Sequence, residues 1–253
     1  MAAALNGTRR FEGRVCLVTG GGRGIGRAVA LALAAEGAAV GVVARTRVQC
    51  EEVAAEIGES GVALAGDVTD QSSVERVVAE LRGHFGAPSL VVNAAGISPV
   101  RQRAEAHDTD AFMQIVHVKL VGAYLVARAA APSLFETRGS VVNVASVLAA
   151  QASPRLAAYG ASKAGLVQLT RTLGCEWADR GVRVNAVCPG YVETELTSGM
   201  LSVDHIRDAI LAETPLGRLA TLDEIVAPIL FLLSEEASYI TGTMLLVDGG
   251  MAA

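Results

Sequence analysis

Read for hydrophobic and polar positions, the chain alternates short continuous apolar runs with longer stretches of helical periodicity. The runs RVCLVT (14–19), AAVGVVA (38–44), GVALAG (61–66), SLVVNA (89–94), GSVVNVAS (139–146), GVRVNAVC (181–188) and MLLVD (244–248) predict strands. Helical patterns fill 24–36, 47–58, 70–85, 110–136, 156–180 and 221–233. Strands that are apolar without alternation are covered on both faces, and helices between them supply the covering. The pattern therefore predicts an α/β fold: a doubly wound, Rossmann-like parallel sheet of about seven strands with helices on both faces.

Local chemistry marks several boundaries. Thr221 and Glu224 have capping-box spacing before the last helix, and Asp67 and Asp70 offer caps before the helix at 70–85. Pro228 falls inside the last helical pattern, where the missing N–H predicts a kink. No repeat or Pro/Ser-rich linker divides the chain, so residues 1–253 are expected to form one domain, with 1–10 as a short tail.

Composition narrows the function classes. The chain is 51% hydrophobic, 19% charged and only 4% aromatic, with a net charge of −5, so its core is built from Ala, Val and Leu. An acidic balance without clustered cations argues against nucleic acid as a partner. Four cysteines stand apart with no CxxC and no nearby His at ligand spacing, so neither a metal site nor a disulfide framework is expected. The most apolar region, 28–44, is broken by Glu36 and Gly37, and the first residues lack a signal-peptide pattern. A soluble cytoplasmic protein, without membrane attachment, is the expectation.

Candidate chemistry begins between the first strand and the first helix, in TGGGRGIG (19–26). Gly20, Gly24 and Gly26 fit a tight turn, close approach to a pyrophosphate, and close helix–sheet packing. The helix start offers free N–H groups and a positive dipole end. Arg23 and Ile25 lie within this turn. The second strand ends in VVARTR, with Ala44 and Arg45 where NAD sites usually carry an acid. Arg23 and Arg45 suit a ribose 2′-phosphate, which predicts NADP(H) over NAD(H).

Only two of the 21 cationic Lys and Arg residues are lysines, Lys119 and Lys163. Tyr159 and Lys163 are four apart, so on a helix they share a face. An ammonium about 4 Å from a phenol is worth roughly 4 kcal/mol at an effective dielectric near 20, or nearly three pKa units. That predicts a Tyr159 lowered into the range of a general acid/base. Ser146 ends one strand, NAAG (Asn93, Ala94, Ala95, Gly96) another, and CPGYVET (188–194) a third. Carboxyl ends of strands are where an open α/β sheet binds ligands.

With TGGGRGIG, Asp67-Val68, NAAG, Ser146, Tyr159/Lys163 and Pro189-Gly190 through Thr194 in order, the chain resembles the short-chain dehydrogenase/reductase family over about residues 11–251. Its tail YITGTMLLVDGG (239–250) is similar to the branch containing 3-oxoacyl-[acyl-carrier-protein] reductases. The resemblance implies an oxidoreductase that moves a hydride between nicotinamide and a ketone or secondary alcohol. It implies Tyr159 as proton donor or acceptor, Ser146 as hydrogen-bond partner of the substrate oxygen, and Lys163 as ribose ligand. Asp67 and Val68 would flank adenine, Asn93 to Gly96 the adenosine ribose, and Pro189, Gly190, Val192 and Thr194 the nicotinamide. Substrate contacts are expected from Ser98–Arg103, Val147, Leu148, Ala149, Tyr191 and the segment 195–212. Their apolar side chains suit a medium-sized carbonyl or alcohol.

The pattern breaks at IVHVKLVG, which puts Lys119 at the position of the family's water-holding asparagine. Two readings stand side by side: Lys119 joins the site's proton relay, or it reaches elsewhere while backbone holds the water. His117, two residues earlier, reads as a packing or surface residue. Arg180, with Arg138 beside Thr137, offers cations for a carrier protein, but the net charge gives no general attraction to one. The long apolar helices at 110–136 and 156–180 are expected to pair across subunits in a homotetramer. A rival reading is a catalytically silent NADP(H)-binding sensor on the same fold.

Overall fold

The computed structural model describes residues 9–98, 101–194 and 197–253. Seven strands form where the apolar runs predict them: β1 (Val15–Thr19), β2 (Ala39–Ala44), β3 (Gly61–Ala65), β4 (Leu90–Asn93), β5 (Ser140–Val144), β6 (Arg183–Pro189) and β7 (Met244–Val247). All pair in parallel, in the order β3-β2-β1-β4-β5-β6-β7. The chain winds outward from β1 to β3, then returns to build β4 to β7 on the other side. The reversal between β1 and β4 opens a crevice at the carboxyl ends of the strands.

Nine α-helices are present among the described residues: α1 (Gly24–Ala35), α2 (Arg47–Ile57), α3 (Gln71–Phe85), α4 (Thr109–Val116), α5 (Gly122–Thr137), α6 (Ala157–Glu176), α7 (Ser198–Leu201), α8 (Asp204–Glu213) and α9 (Leu222–Leu233). The core is two slabs, one on each face of the sheet. Cys16 and Val18 point into a layer with Val29 and Leu33 of α1 and Ile225 and Ile229 of α9. Leu17 points the other way, into a layer with Leu81 of α3, Val126 and Ala130 of α5, and Leu173 of α6. Successive strand residues thus enter opposite slabs, which is why the runs carry no polar alternation.

The capping predictions hold at Thr221, Glu224 and Asp70, whereas Asp67 closes a turn before the helix. Glu224 N donates to Thr221 Oγ1 at 3.3 Å while Thr221 N donates to Glu224 Oε2 at 2.9 Å. Asp70 caps α3 by accepting from Ser72 N at 2.9 Å, and Asp67 Oδ1 accepts from Thr69 N. Pro228 lies inside α9, which is helical from Leu222 to Leu233.

The pattern at 110–136 is one helical run with a wider turn in its middle. At His117–Val121 the backbone bonds skip to the fifth residue, and Gly122 N donates to His117 O. From Thr109 to Thr137 this run, rather than residues 28–44, is long and apolar enough to cross a membrane by length and composition. Half of its most apolar stretch is buried, and α5 packs against α3 and β4 in the core.

Candidate active site

A cavity of about 300 Å³ opens at the switch point between β1 and β4, walled by loops that leave the carboxyl ends of β1 to β6. Its floor is the glycine turn. Gly20 has φ +67°, and a Cβ there would meet Ala94 O at 2.7 Å. At Gly26 a Cβ would meet Gly20 O at 2.2 Å, so only hydrogen fits between helix and strand. No side chain caps α1, whose first turn faces this space. Free amides, a dipole end and a cradle without side chains suit a pyrophosphate, so the residues present fit a dinucleotide.

Beside the ends of β2 and β3 the cavity is lined by Arg23, Arg45, Asp67 and Val68, with Gly24 and Ile25 beside them. Arg23 and Arg45 are exposed, and among the described residues neither enters an ion pair. Arg47, by contrast, holds Glu51 at 2.8 Å and stands outside the cavity. Thr46 and Gln49 also face this end; they carry no signal a sequence reading could use.

The middle wall contains Ala94, Ala95 and Gly96, whereas the Asn93 side chain is turned inward. Asn93 Nδ2 donates to Asn143 Oδ1 at 2.9 Å, and Asn143 passes the chain on to Thr170 Oγ1 at 2.8 Å. This buried network joins β4, β5 and α6, which also position Ser146, Tyr159 and Lys163. Pro189, Gly190, Val192 and Thr194 form the far wall. Thr197 fixes that loop: its Oγ1 donates to Val192 O at 2.5 Å and accepts from Thr194 N at 3.0 Å.

Ser146, Tyr159, Lys163 and Lys119 converge on the same cavity. Ser146 follows β5 and caps the next turn, accepting from Leu148 N at 3.2 Å. Lys163 Nζ donates to Val144 O at 2.6 Å and lies 5.9 Å from the centroid of the Tyr159 ring. Burial pushes the Lys163 ammonium well below the usual lysine range, and Lys119 pushes it further. The Tyr159 phenol moves up, not down: burial raises it and the Ser146 hydroxyl only partly offsets that. The expectation of an ammonium-acidified phenol is therefore corrected. Lys163 is drawn to a backbone carbonyl and its charged form is disfavoured by desolvation, while burial outweighs the Ser146 hydroxyl at Tyr159.

The expected substrate side is less enclosed. Val147 is buried, Leu148 and Tyr191 are partly buried and Ser98 is exposed, and none of the four walls the main cavity. Tyr191 is nonetheless close enough to Tyr159 and Arg101 to interact with both. Positions 99–100 and 195–196 of the predicted lining lie outside the described residues. The helix α8 fills most of the remaining segment. His117 is exposed, and Arg180 sits over the Phe135 ring at 4.7 Å.

Comparison with known proteins gives matches along nearly the whole chain. The family profile described as Enoyl-(Acyl carrier protein) reductase matches residues 20–252. The 3-oxoacyl-[acyl-carrier-protein] reductase FabG of Salmonella typhimurium is 38% identical over 242 residues, covering 95% of this chain and 98% of that protein. A provisionally assigned short-chain alcohol dehydrogenase of Sinorhizobium meliloti 1021 superposes with a TM-score of 0.92 at 36% identity, covering 97% of this chain and 98% of the other. A provisionally assigned NAD(P)-dependent gluconate 5-dehydrogenase of Beutenbergia cavernae, solved with NADP at low occupancy, gives 0.90 at 39% identity, covering 97% and 99%.

Proposed function

We propose, for a chain that belongs to the short-chain dehydrogenase/reductase family, that it is an NADP(H)-dependent oxidoreductase acting on a ketone or secondary alcohol. The observation that carries this reading is the convergence of Tyr159, Ser146 and Lys163 on the cavity that also contains the glycine turn and the start of α1. The dinucleotide would be held by Gly20, Gly24, Gly26 and the α1 amides, with Arg23 and Arg45 toward its 2′-phosphate. When bound it supplies the hydride.

The chain's own residues then have defined tasks. Tyr159 enters the site protonated, because burial raises its pKa, and can donate that proton to a substrate oxygen. Ser146 points its hydroxyl at the same place and orients the carbonyl. Lys163, anchored on Val144 O, stands where it can reach a ribose hydroxyl and compensate the charge left on the phenolate. In the oxidative direction the deprotonated form, the Tyr159 phenolate, takes the proton from the alcohol.

A 3-oxoacyl thioester is one member of the proposed substrate class, supported by the similarity to FabG. Arg180 and Arg138 are exposed and available to an acidic carrier. The exposed apolar side chains Met113 and Tyr124 on α4 and α5 support pairing of subunits through that helical face, in a homotetramer of one-domain subunits.

The test is loss of NADPH absorbance with a panel of ketones, diketones and 3-oxoacyl thioesters. The wild type should turn over at least one class, and Tyr159→Phe should lower kcat by about 10³-fold or more while NADPH still binds, since it removes the only proposed proton donor. Binding without oxidation across the whole panel would establish the silent sensor instead.

A further inference from the structure

Lys119 is a buried charge at the site to which the reaction above gives no task. Its side chain is 3% exposed, and its Nζ lies 4.7 Å from the Tyr159 ring centroid, closer than that of Lys163. The widened turn at His117–Val121 carries it there, a distortion that recurs at functional sites. Gly96 makes room for it: a Cβ at that position would stand 2.8 Å from Nζ. Among the described residues the ammonium has no hydrogen-bond acceptor, although it faces the open cavity.

A second observation lies behind it. A small internal cavity of about 10 Å³ is lined by Lys119, Lys163, Thr19 and Asn93. That is close to the least space one water needs. Asn93 Oδ1 is buried and accepts from no donor. Two amines and an unsatisfied amide oxygen thus border one water-sized space.

The charges around the pair point the same way. Tyr159 faces it from α6 and Cys188 from the end of β6, and no carboxylate acts on either lysine among the described residues. Asp67, Arg23 and Arg45 line the same main cavity, from the loops after β3, β1 and β2. Burial pushes Lys119 down to about 8, and Lys163 feels Lys119 in turn. Two like charges in one desolvated pocket, without a counterion, titrate as a unit.

We propose that Lys119 and Lys163 share protons as a coupled pair, with Lys119 restoring to Lys163 the proton it yields when Tyr159 is recharged. This rests on the reading of Tyr159 as the acid. An N–H bond of the Lys119 ammonium breaks, one forms on the Lys163 amine, and the positive charge moves with it. Solvent in the main cavity then reprotonates Lys119. Nothing is oxidised or reduced. Lys119 is thus a relay residue acting through Lys163.

The composition supplies the assay, because a protein labelled with ¹³C at lysine Cε gives just two side-chain lysine signals. In the ligand-free wild type both should titrate below the ordinary lysine range, in coupled steps. In Lys119→Met the remaining signal, Lys163, should titrate roughly one to two pH units higher, as expected for loss of a like charge nearby. An unchanged Lys163 midpoint overturns the pair. If Lys119→Met fails to fold, Lys119→Arg decides: its permanent charge should hold Lys163 at or below its wild-type midpoint, and a higher midpoint overturns the coupling.

Kinetics then tests the relay itself. Lys119→Arg cannot release a proton, so its kcat should fall about tenfold or more and lose the wild-type pH break, with the KM for NADPH nearly unchanged. Full kcat in Lys119→Arg overturns the relay. An inactive wild type whose lysine signals are coupled would refute the oxidoreductase reading and the relay, but leave the pair established.

Discussion

Replacing Arg45 tests the cofactor assignment most directly. The guanidinium stands just beyond the end of β2, lines the cavity with Arg23, and has no acidic partner among the described residues. A hydrogen bond to a charged group is worth about 1.5–3 kcal/mol, and exposure at the rim places this one near the lower end. At 1.4 kcal/mol per decade, Arg45→Ala should raise the Kd for NADPH about 10- to 30-fold and leave that for NADH nearly unchanged. Arg45→Asp adds repulsion: each unit charge at about 4 Å in water contributes about 1 kcal/mol, and a phosphate dianion carries nearly two. Together with the lost hydrogen bond, that predicts a preference shift of about 10²- to 10³-fold toward NADH. Arg47→Ala serves as control, since Arg47 is engaged with Glu51 outside the cavity, and both affinities should stay within about twofold. The assay is fluorescence titration of both nucleotides at two ionic strengths, because a surface charge contact weakens with salt. If Arg45→Ala leaves the NADPH-to-NADH ratio of Kd values unchanged, the 2′-phosphate does not sit at this rim.

Two further predictions concern the frame that holds the site. Arg183 donates to the last carbonyls of α9, at 2.6 Å to Leu232 O, 3.2 Å to Leu233 O and 2.8 Å to Ser234 O, so Arg183→Met should cost about 3 kcal/mol and lower Tm by roughly 6–12 °C by calorimetry. An unchanged Tm would mean that water replaces the guanidinium without loss. Glu224, beside Arg218 and in the capping box of α9, is held down to about 2. A folded-state pKa below the unfolded one gives stability that is present above about 4.5 and is lost as pH falls toward 2. Glu224→Gln should therefore lower Tm by roughly 2–4 °C at neutral pH and converge with the wild type at the acid end of that window; a constant difference down to pH 2 would refute the linkage.

The fold was legible because burial on two faces leaves a signature in each strand, and because turn and cap residues obey local rules. Val15–Thr19 and the Gly20, Gly24, Gly26 turn are readable from neighbours alone. The same holds for Thr221 and Glu224. What escaped depends on contacts between distant segments. Asn93 faces inward because Asn143 and Thr170 are there to receive it. The acidity of Tyr159 is set by how deeply α6 is packed, which no spacing of Tyr and Lys encodes. The widened turn that aims Lys119 at the phenol, and the glycine at 96 that admits it, lie on different elements and become related only once the sheet is assembled. Apolar helix faces at 109–137 likewise look membrane-like until α3 and the sheet are placed against them.

Both lysines of this chain lie inside one pocket, 3% and 5% exposed, while every other cationic side chain of Lys or Arg type is a guanidinium. The outer surface thus presents no lysine to acylating or aldehyde reagents among the described residues. Chemistry that decorates most proteins indiscriminately would here be confined, as far as side-chain amines go, to this one cleft, and its rate would register whether that cleft is filled.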